Sequence, residues 1–402
     1  MKKILLTLIS ALTLMSCEKD LGGADDPIGV PSTNTITGNI TQTVTLTSDR
    51  EWILKGYVYV VNGAKLIIQP GTIIKSDLIE KGALCIERGG KIIAEGTSTK
   101  PIVFTSGQPI GQRSPGDWGG IVILGKATTN RTSEPTIEGG IGRPFGGSDD
   151  YDNSGILKYV RIEYAGIAAM PNSEINALTL GGVGSGTILE NIQTVYANDD
   201  AFEFFGGTVN AKNLYAFATA DDDFDFDFGY RGTISYSASK RDPQFVDNGD
   251  AGNGVECDND GTGSAAIPTT HPKLDNVILI GPFDAGSLAN HNLGLRFRRA
   301  TQFTMTNSKV LGYQKGSFSM ESTETVQHYK NGTSIFLNNE VQAFDPSLNF
   351  ISKATSIMTS DSVKAKALSQ GTVEKSYTKS EMDALAKPSW SNGWTRFPVK
   401  GF

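Results

Sequence analysis

The sequence predicts an all-β fold, a single-stranded right-handed parallel β-helix (a solenoid), with a short C-terminal cap that contains a helical turn. Three observations carry this reading. First, Ala177-Leu178-Thr179-Leu180-Gly181-Gly182, Ala201-Phe202-Glu203-Phe204-Phe205-Gly206 and Asp223-Phe224-Asp225-Phe226-Asp227-Phe228 recur at a period of roughly 22 to 24 residues, a solenoid repeat length. Second, each copy alternates, so that Leu178 and Leu180, Phe202 and Phe204, and Phe224 and Phe226 face one side while Thr179, Glu203 and Asp225 face the other. Third, a second strand series opens on Asn, at Asn191-Ile192, Asn213-Leu214, Asn276-Val277 and Asn307-Ser308, and amphipathic helix patterns are nearly absent between the copies.

A coil of this length holds two or three short strands and returns one strand spacing higher, about 4.8 Å, so equivalent side chains stack on themselves. Stacked Asn side chains are expected to hydrogen-bond along their column and to the turns. Earlier coils are legible in Leu66-Ile67-Ile68, Ile73-Ile74, Ala83-Leu84-Cys85-Ile86, Ile92-Ile93, Ile102-Val103-Phe104 and Ile121-Val122-Ile123, and later ones in Val255-Glu256-Cys257, Leu295-Arg296-Phe297 and Phe318-Ser319-Met320. Residues 36–350 are therefore assigned to the solenoid. At about 24 residues per coil they give on the order of a dozen coils and a rod roughly 55 Å long. Phe202, Phe224 and Phe297 are expected to share one core. The remaining 351–402 form a capping segment, because an open last coil exposes unpaired backbone and apolar surface. The one helical pattern lies at 379–386, with Ser380 as its candidate cap, and Trp390 and Trp394 are expected to seal it.

At the other end, Lys2 and Lys3 precede an apolar run over 4–15 and then Ser16 and Cys17. A transmembrane helix needs about 20 apolar residues, so this run is a leader. Residues 1–16 read as a lipoprotein signal peptide whose lipobox ends at Cys17, the lipidated (palmitate-bearing) N-terminus; the competing reading is an ordinary secretory leader with an incidental Cys. Residues 17–35 are acidic and Gly-rich and form a flexible tether. Loss of Lys2 and Lys3 with the leader takes the formal charge from −7 to −9. No nucleic-acid partner is expected, since phosphate binding wants a basic face. Cys85 and Cys257 fall in separate strand copies and are read as small buried apolar residues.

The acidic ridge is the first place where chemistry can sit. Asp199, Asp200, Glu203, Asp221, Asp222, Asp223, Asp225 and Asp227 fall on a turn and the outward face of adjacent coils. Unpaired carboxylates that close repel and raise one another's pKa. Three arrangements remain open: pairing with Arg231, Arg296, Arg298 and Arg299, calcium binding by six to eight oxygens, or a catalytic carboxylate pair. A second acidic segment over 247–260 contains Glu256, Asp258 and Asp260 and imitates the start of an EF-hand loop. Its twelfth position is Ile267 and no helices flank it, so it reads as a solvated turn or a looser calcium site. A third cluster, Asp149, Asp150 and Asp152, ends a Gly-rich insertion from Thr128, which either builds a binding face or forms a mobile polar loop. His271, His291 and His328 sit in no arrangement suited to nucleophilic catalysis and are read as turn residues; no catalytic residue is assigned.

The stretches Pro115-Gly116-Asp117-Trp118-Gly119-Gly120-Ile121, Gly155 to Gly166 with Tyr159-Val160-Arg161-Ile162-Glu163-Tyr164, Asp221 to Gly232 with its Asp-Phe repeat, and Leu295-Arg296-Phe297-Arg298-Arg299 resemble a family of Bacteroidetes-type right-handed parallel β-helix surface lipoproteins. The resemblance covers most of the chain beyond Ile36. It implies the fold and an outer-membrane address with the protein lipid-anchored and facing the extracellular side, and it carries no catalytic residue or substrate. The acidic residues next to Cys17 resemble that group's export signal, against the alternative of a periplasm-facing anchor. The family further implies an accessory partner of a TonB-dependent transporter. Together these readings give a non-enzymatic surface lipoprotein that binds a ligand such as a surface glycan or docks on a transporter, with Ca2+ stiffening the ridge and Asp149, Asp150, Asp152, Glu256, Asp258, Asp260, Arg296 and Arg298 as ligand-binding candidates. The alternative is a calcium-dependent polysaccharide lyase or glycoside hydrolase of the pectate-lyase-like type, with Arg296 or Arg298 drafted as base. Fold alone does not license that activity.

Overall fold

The structure is a computed structural model and describes residues 29–398 apart from 138, 171–172, 248, 250–251 and 284–290. The leader, Cys17 and most of the tether lie outside the described residues. Within them, a continuous 28-stranded sheet winds as a parallel solenoid with three faces, and all its strand pairings are parallel. A two-stranded antiparallel ribbon, Ala168–Met170 with Ser173–Glu174, stands outside it.

Face 1 carries the register that matters for function. Its outward column runs Asn39, Tyr59, Cys85, Val122, Thr179, Glu203, Asp225, Glu256, Arg296, Ser319 and Ile351, each paired with the next. The expected period of 22 to 24 residues holds from Thr179 through Glu203 to Asp225 and again from Arg296 to Ser319, and the other steps of the column depart from it. Between Val122 and Thr179 the chain spends 57 residues, because loops inserted at the corners lengthen a coil without disturbing its stacking.

Inward side chains form one core along the rod. Phe202 stacks on Phe224 with ring centroids 5.4 Å apart and Phe204 on Phe226 at 5.1 Å. Such pairs add about 0.5–1.5 kcal/mol each beyond the area they bury. Phe297 follows Cys257 in the neighbouring inward column and packs on Phe303 at 3.9 Å, so the three phenylalanines do share one core. Both cysteines are free and buried, Cys257 in that core and Cys85 on the outward side beneath an inserted loop.

The Asn series has a different cause from the one expected. Asn191, Asn213, Asn276, Asn307 and Asn338 turn the corner, at φ between 53° and 56°, from face 2 (with Thr233–Ser235, Lys273–Asp275 and Thr304–Thr306) to face 3 (with Ala238–Lys240, Ile278–Ile280 and Lys309–Tyr313). Asn is chosen because it enters the left-handed region at less cost than most side chains. The polar column that relays hydrogen bonds along the rod lies one residue later. The Leu214 amide donates to Ser237 Oγ (3.0 Å), the Val277 amide to Ser308 Oγ (2.9 Å) and the Ser308 amide to Asn339 Oδ1 (2.9 Å).

The C-terminal cap also differs. Two helices with no helical signature in the sequence reading are present, α1 (Thr323–Asn331) and α2 (Ser360–Ser369), and α2 closes the last coil by sending Val363 and Ala367 into the common core. The expected helix exists as α3 (Lys379–Leu385), but Thr378 caps it in a reciprocal pairing with Glu381, leaving Ser380 no capping role. It does not cover the last coil. After Val373–Glu374 the chain turns back along face 3, where Met382 packs with Ile280 and Leu311. Arg161 Nη1 then donates to the Trp394 carbonyl (3.0 Å), and Gln193 bonds Arg396 in both directions (2.7 Å each). Trp394 is buried edge-on against Tyr159, far from the end it was expected to seal, with Trp390 stacked on it.

The insertion from Thr128 is neither polar nor loose over its middle. Ile137, Ile141 and Phe145 are buried and pack on the outward side chains Cys85, Val122 and Leu124 of face 1. It therefore roofs the early coils and stops at the ridge, where Phe145 meets Phe205 and the Asn130 amide donates to the Phe228 carbonyl (2.9 Å).

Candidate metal centre

Glu203 and Asp225 occupy consecutive positions of the outward column of face 1, held there because Phe202, Phe204, Phe224 and Phe226 on either side point inward. Two residues upstream, the corners entering these strands present Asp199-Asp200 and Asp221-Asp222. Successive corners are tied by carboxylate-to-backbone bonds: the Asp222 amide donates to Asp200 Oδ1 (2.8 Å) and the Asn253 amide to Asp222 Oδ1 (2.6 Å). As a result one carboxylate oxygen each from Asp200, Glu203 and Asp225 lies within 4.8 Å of the others, and the same is true of Asp199, Asp200 and Asp221. Asp200 belongs to both triads. Asn176 Nδ2 donates to Glu203 and fixes that carboxylate from the coil before.

Burial pushes the Asp200 and Asp225 carboxyls well above the ordinary carboxylate range, and neighbouring carboxylates add to it. Burial likewise raises Asp221 to about 7, with Asp199 adding most among the neighbouring charges, and Asp222 to about 8, with Asp221 contributing. Asp227, whose carboxylate takes the Phe228 amide at 2.6 Å, is raised by burial to about 8. Among the described residues no Lys or Arg forms an ion pair with Asp200, Asp221, Asp222, Asp225 or Asp227, whereas Asp223, Glu256 and Asp258 are paired with arginines.

Arg pairing takes over one rung later. Arg296 Nη1 bonds Glu256 (3.1 Å) and its Nε reaches Glu321 (3.3 Å). Arg298 bonds Glu256 and, through Nε, Asp258 (2.8 Å), and Arg299 adds Asp258 (2.7 Å). Of the three arrangements left open by the sequence, Arg pairing therefore applies to the Glu256 and Asp258 rungs and does not extend to Asp200 or Asp225. Arg231 pairs instead with Asp150 of the insertion at 3.2 Å.

The other candidates are spread out. Asp223 faces inward and pairs with Arg241 at 2.9 Å, both fully buried; Arg241 also donates to the Asp221 carbonyl (2.6 Å). Nothing in the sequence singled Arg241 out, since a lone Arg in a polar turn carries no period. Asp260 is used up by its own turn, accepting from the Thr262 amide and hydroxyl and the Ser264 amide, which hold its carboxyl below the usual range against burial. Asp150 takes the Thr128 amide at 2.9 Å, Asp152 is buried beside Ser154, and Asp149 caps the Tyr151 amide. These three order the root of the insertion and are not brought to the ridge. Trp118 is buried and donates to the Glu163 carbonyl (2.8 Å). Of the histidines, His328 lies in α1 instead of a turn, His271 bonds Thr304 Oγ1 (2.9 Å), and His291 is buried.

The donor set of the two triads is five carboxylates and no nitrogen or sulfur, which suits a hard cation. Calcium fits best, because its six to eight oxygens can be completed by water on the open side and its geometry tolerates a cluster built from turns and strand.

A family model described as a pectate-lyase-like β-helix domain matches residues 38–395, nearly all of the described chain. No curated protein and no solved structure matches the sequence.

Proposed function

The chain belongs to the pectate-lyase-like β-helix domain family, and from that premise we propose that face 1 binds a calcium ion at Asp200, Glu203 and Asp225 and uses it to hold an anionic saccharide without cleaving it. The observation that carries this reading is the pair of triads sharing Asp200, with no Lys or Arg among the described residues ion-paired to Asp200 or Asp225. An ion there would keep coordination positions on the side of Asp225 that faces away from the core, and a uronate carboxylate would supply the missing oxygen ligands. Calcium would supply the positive charge; the chain's own carboxylates position it.

The same geometry argues against turnover. A lyase needs a base beside the ion, and the candidates are Arg296 and Arg298. Both are locked between carboxylates, and Glu256 and Asp258 push the Arg298 guanidinium above its ordinary value against the effect of burial, so it keeps its proton. The enzymatic alternative, a calcium-dependent polysaccharide lyase or glycoside hydrolase, draws on the family membership and on Arg296 standing in the same column as Glu203 and Asp225.

The setting we propose is the outer-membrane surface, with Cys17 acylated and residues 17–35 as a tether, in the service of a TonB-dependent transporter or as a surface glycan receptor. Polygalacturonate and alginate titrated with calcium and then with chelator test the binding: chelator-reversible retention without unsaturated products is expected. Release of such products moves the assignment to the lyase, and no retention with calcium removes the saccharide. Palmitate labelling that is lost in Cys17→Ala, with surface proteolysis of intact cells, tests the address.

A further inference from the structure

A second concavity lies on a different side of the rod. Beside the C-terminal segment, where it runs back along face 3, a cavity of about 440 Å³ opens between the sheet and Ala386, Lys387, Phe397 and Pro398 of that segment. Its floor is the outward face of two rungs, Tyr196, Tyr215 and Phe217, and Phe397 and Pro398 close it from the strap side. Ring contacts fix these walls: Phe397 meets Phe217 edge-on at 5.3 Å and Tyr215 at 5.0 Å, and Tyr196 meets Phe217 edge-on at 5.8 Å. Tyr215 Oη donates to the Ala386 carbonyl and so pins the strap.

The polar part of the lining is concentrated at the turn over 240–244 and at Lys387. Asp242 is held in one orientation, accepting from Tyr196 Oη (2.8 Å) through one oxygen and from the Gln244 amide (2.9 Å) through the other. Gln244 and Lys387 are exposed, and their side chains bond no other described residue. The charges in the wall are mostly spent: Lys240 is paired with Asp383 at 2.8 Å and Arg241 with Asp223 at 2.9 Å. Aromatic and proline walls, a fixed carboxylate, a free amide and a nearly balanced charge select a compact neutral ligand with one apolar face and several hydroxyls. The volume lies at the low end for small-molecule sites.

We propose that this cavity binds a neutral pyranose, free or at the end of a glycan, with its C–H face against Phe217, Phe397 and Pro398 and its hydroxyls toward Asp242, Gln244 and Lys387. The site is separate from the acidic ridge and needs no cation, so it stands or falls independently of the calcium reading.

The full mature chain is titrated with methyl α-D-glucopyranoside, methyl β-D-galactopyranoside, methyl α-D-mannopyranoside and N-acetylglucosamine, followed by saturation-transfer NMR and by tryptophan fluorescence, since Trp390 lies 6.1 Å from Tyr215. At least one probe is expected to bind saturably with a Kd of roughly 1 mM, the range a single sugar ring reaches. Gln244→Ala, at an exposed position that cannot unfold the chain, and Asp242→Asn should each weaken it fivefold or more, and Phe397→Ala should abolish it. Chelator and Asp225→Asn should leave it unchanged. No saturable response up to about 50 mM of any probe, well above the expected range, overturns the proposal. So does binding indifferent to Gln244→Ala and Asp242→Asn, or stronger binding of methyl glucuronoside than of its neutral parent.

Discussion

Glu203 stands one rung from Asp225 in strict register on face 1, and a carboxylate oxygen of each lies within 4.8 Å of one on Asp200, which also lies within that distance of oxygens on Asp199 and Asp221. Stacking like charge on like charge at one strand spacing costs stability unless a cation intervenes. Asp225→Asn should therefore stabilise the metal-free protein, raising Tm by about 2–4 °C for each kcal/mol of repulsion relieved, and should lower calcium affinity at least tenfold. Calorimetric melting with chelator, paired with calcium titration, checks both; an Asn variant that melts lower without metal would count against stored repulsion.

The pH dependence follows from the same groups. Asp221 and Asp222 titrate near 7 and 8 in the folded chain and near 3.8 when unfolded. Between those values the folded state holds protons that the unfolded state has lost, so stability without metal falls as pH rises from about 4 to about 8. Calcium competes with those protons, and its affinity rises across the same window. Melting curves in chelator at several pH values should slope downward and those in calcium should flatten. A chelated protein whose Tm is constant or climbs from pH 5 to 8 contradicts the assignment of protons to the ridge.

Arg298 predicts the opposite behaviour. Removing it leaves Glu256 and Asp258 facing each other with a single guanidinium each, so Arg298→Ala should cost about 2–4 kcal/mol, toward the value for breaking a buried pair. Arg231→Ala breaks a more exposed contact with Asp150 and should cost at most about 1 kcal/mol. Urea unfolding of the two variants gives the comparison, and equal losses would mean that the Arg-rich rungs are not a structural clamp.

The alternation and the stacked Asp-Phe copies made face 1 legible, because a two-residue period and a common coil length survive in the sequence wherever no loop intervenes. Glu203, Asp225 and Asp200 were readable for that reason. The partners of Arg296 and Arg298 were not: Arg296 stands two rungs from Asp225, and only the register shows that the two arginines engage Glu256, Asp258 and Glu321 instead. Arg241 and the cavity on face 3 left no trace either, since both depend on where a turn and the returning strap meet coils far away in sequence. The strap itself was misplaced because a seven-residue helix with a cap says that it is helical and nothing about which coil it covers.

The Asn corners give a test of the fold independent of the ridge. Asn276 sits at φ 55°, where a β-branched side chain is strained and glycine is not. Asn276→Val should lose about 1–2 kcal/mol and Asn276→Gly only a few tenths, by denaturant titration. Equal effects would indicate that the Asn side chains, and not their backbone angle, hold the corner.

Crystals of the full mature chain grown with calcium put the ridge to its sharpest test. An ion about 2.4 Å from oxygens of Asp200, Glu203 and Asp225 is expected, with waters or a soaked galacturonate on its open side. Density showing those three carboxylates bonded to one another, and no ion at any calcium concentration the crystals tolerate, would contradict it.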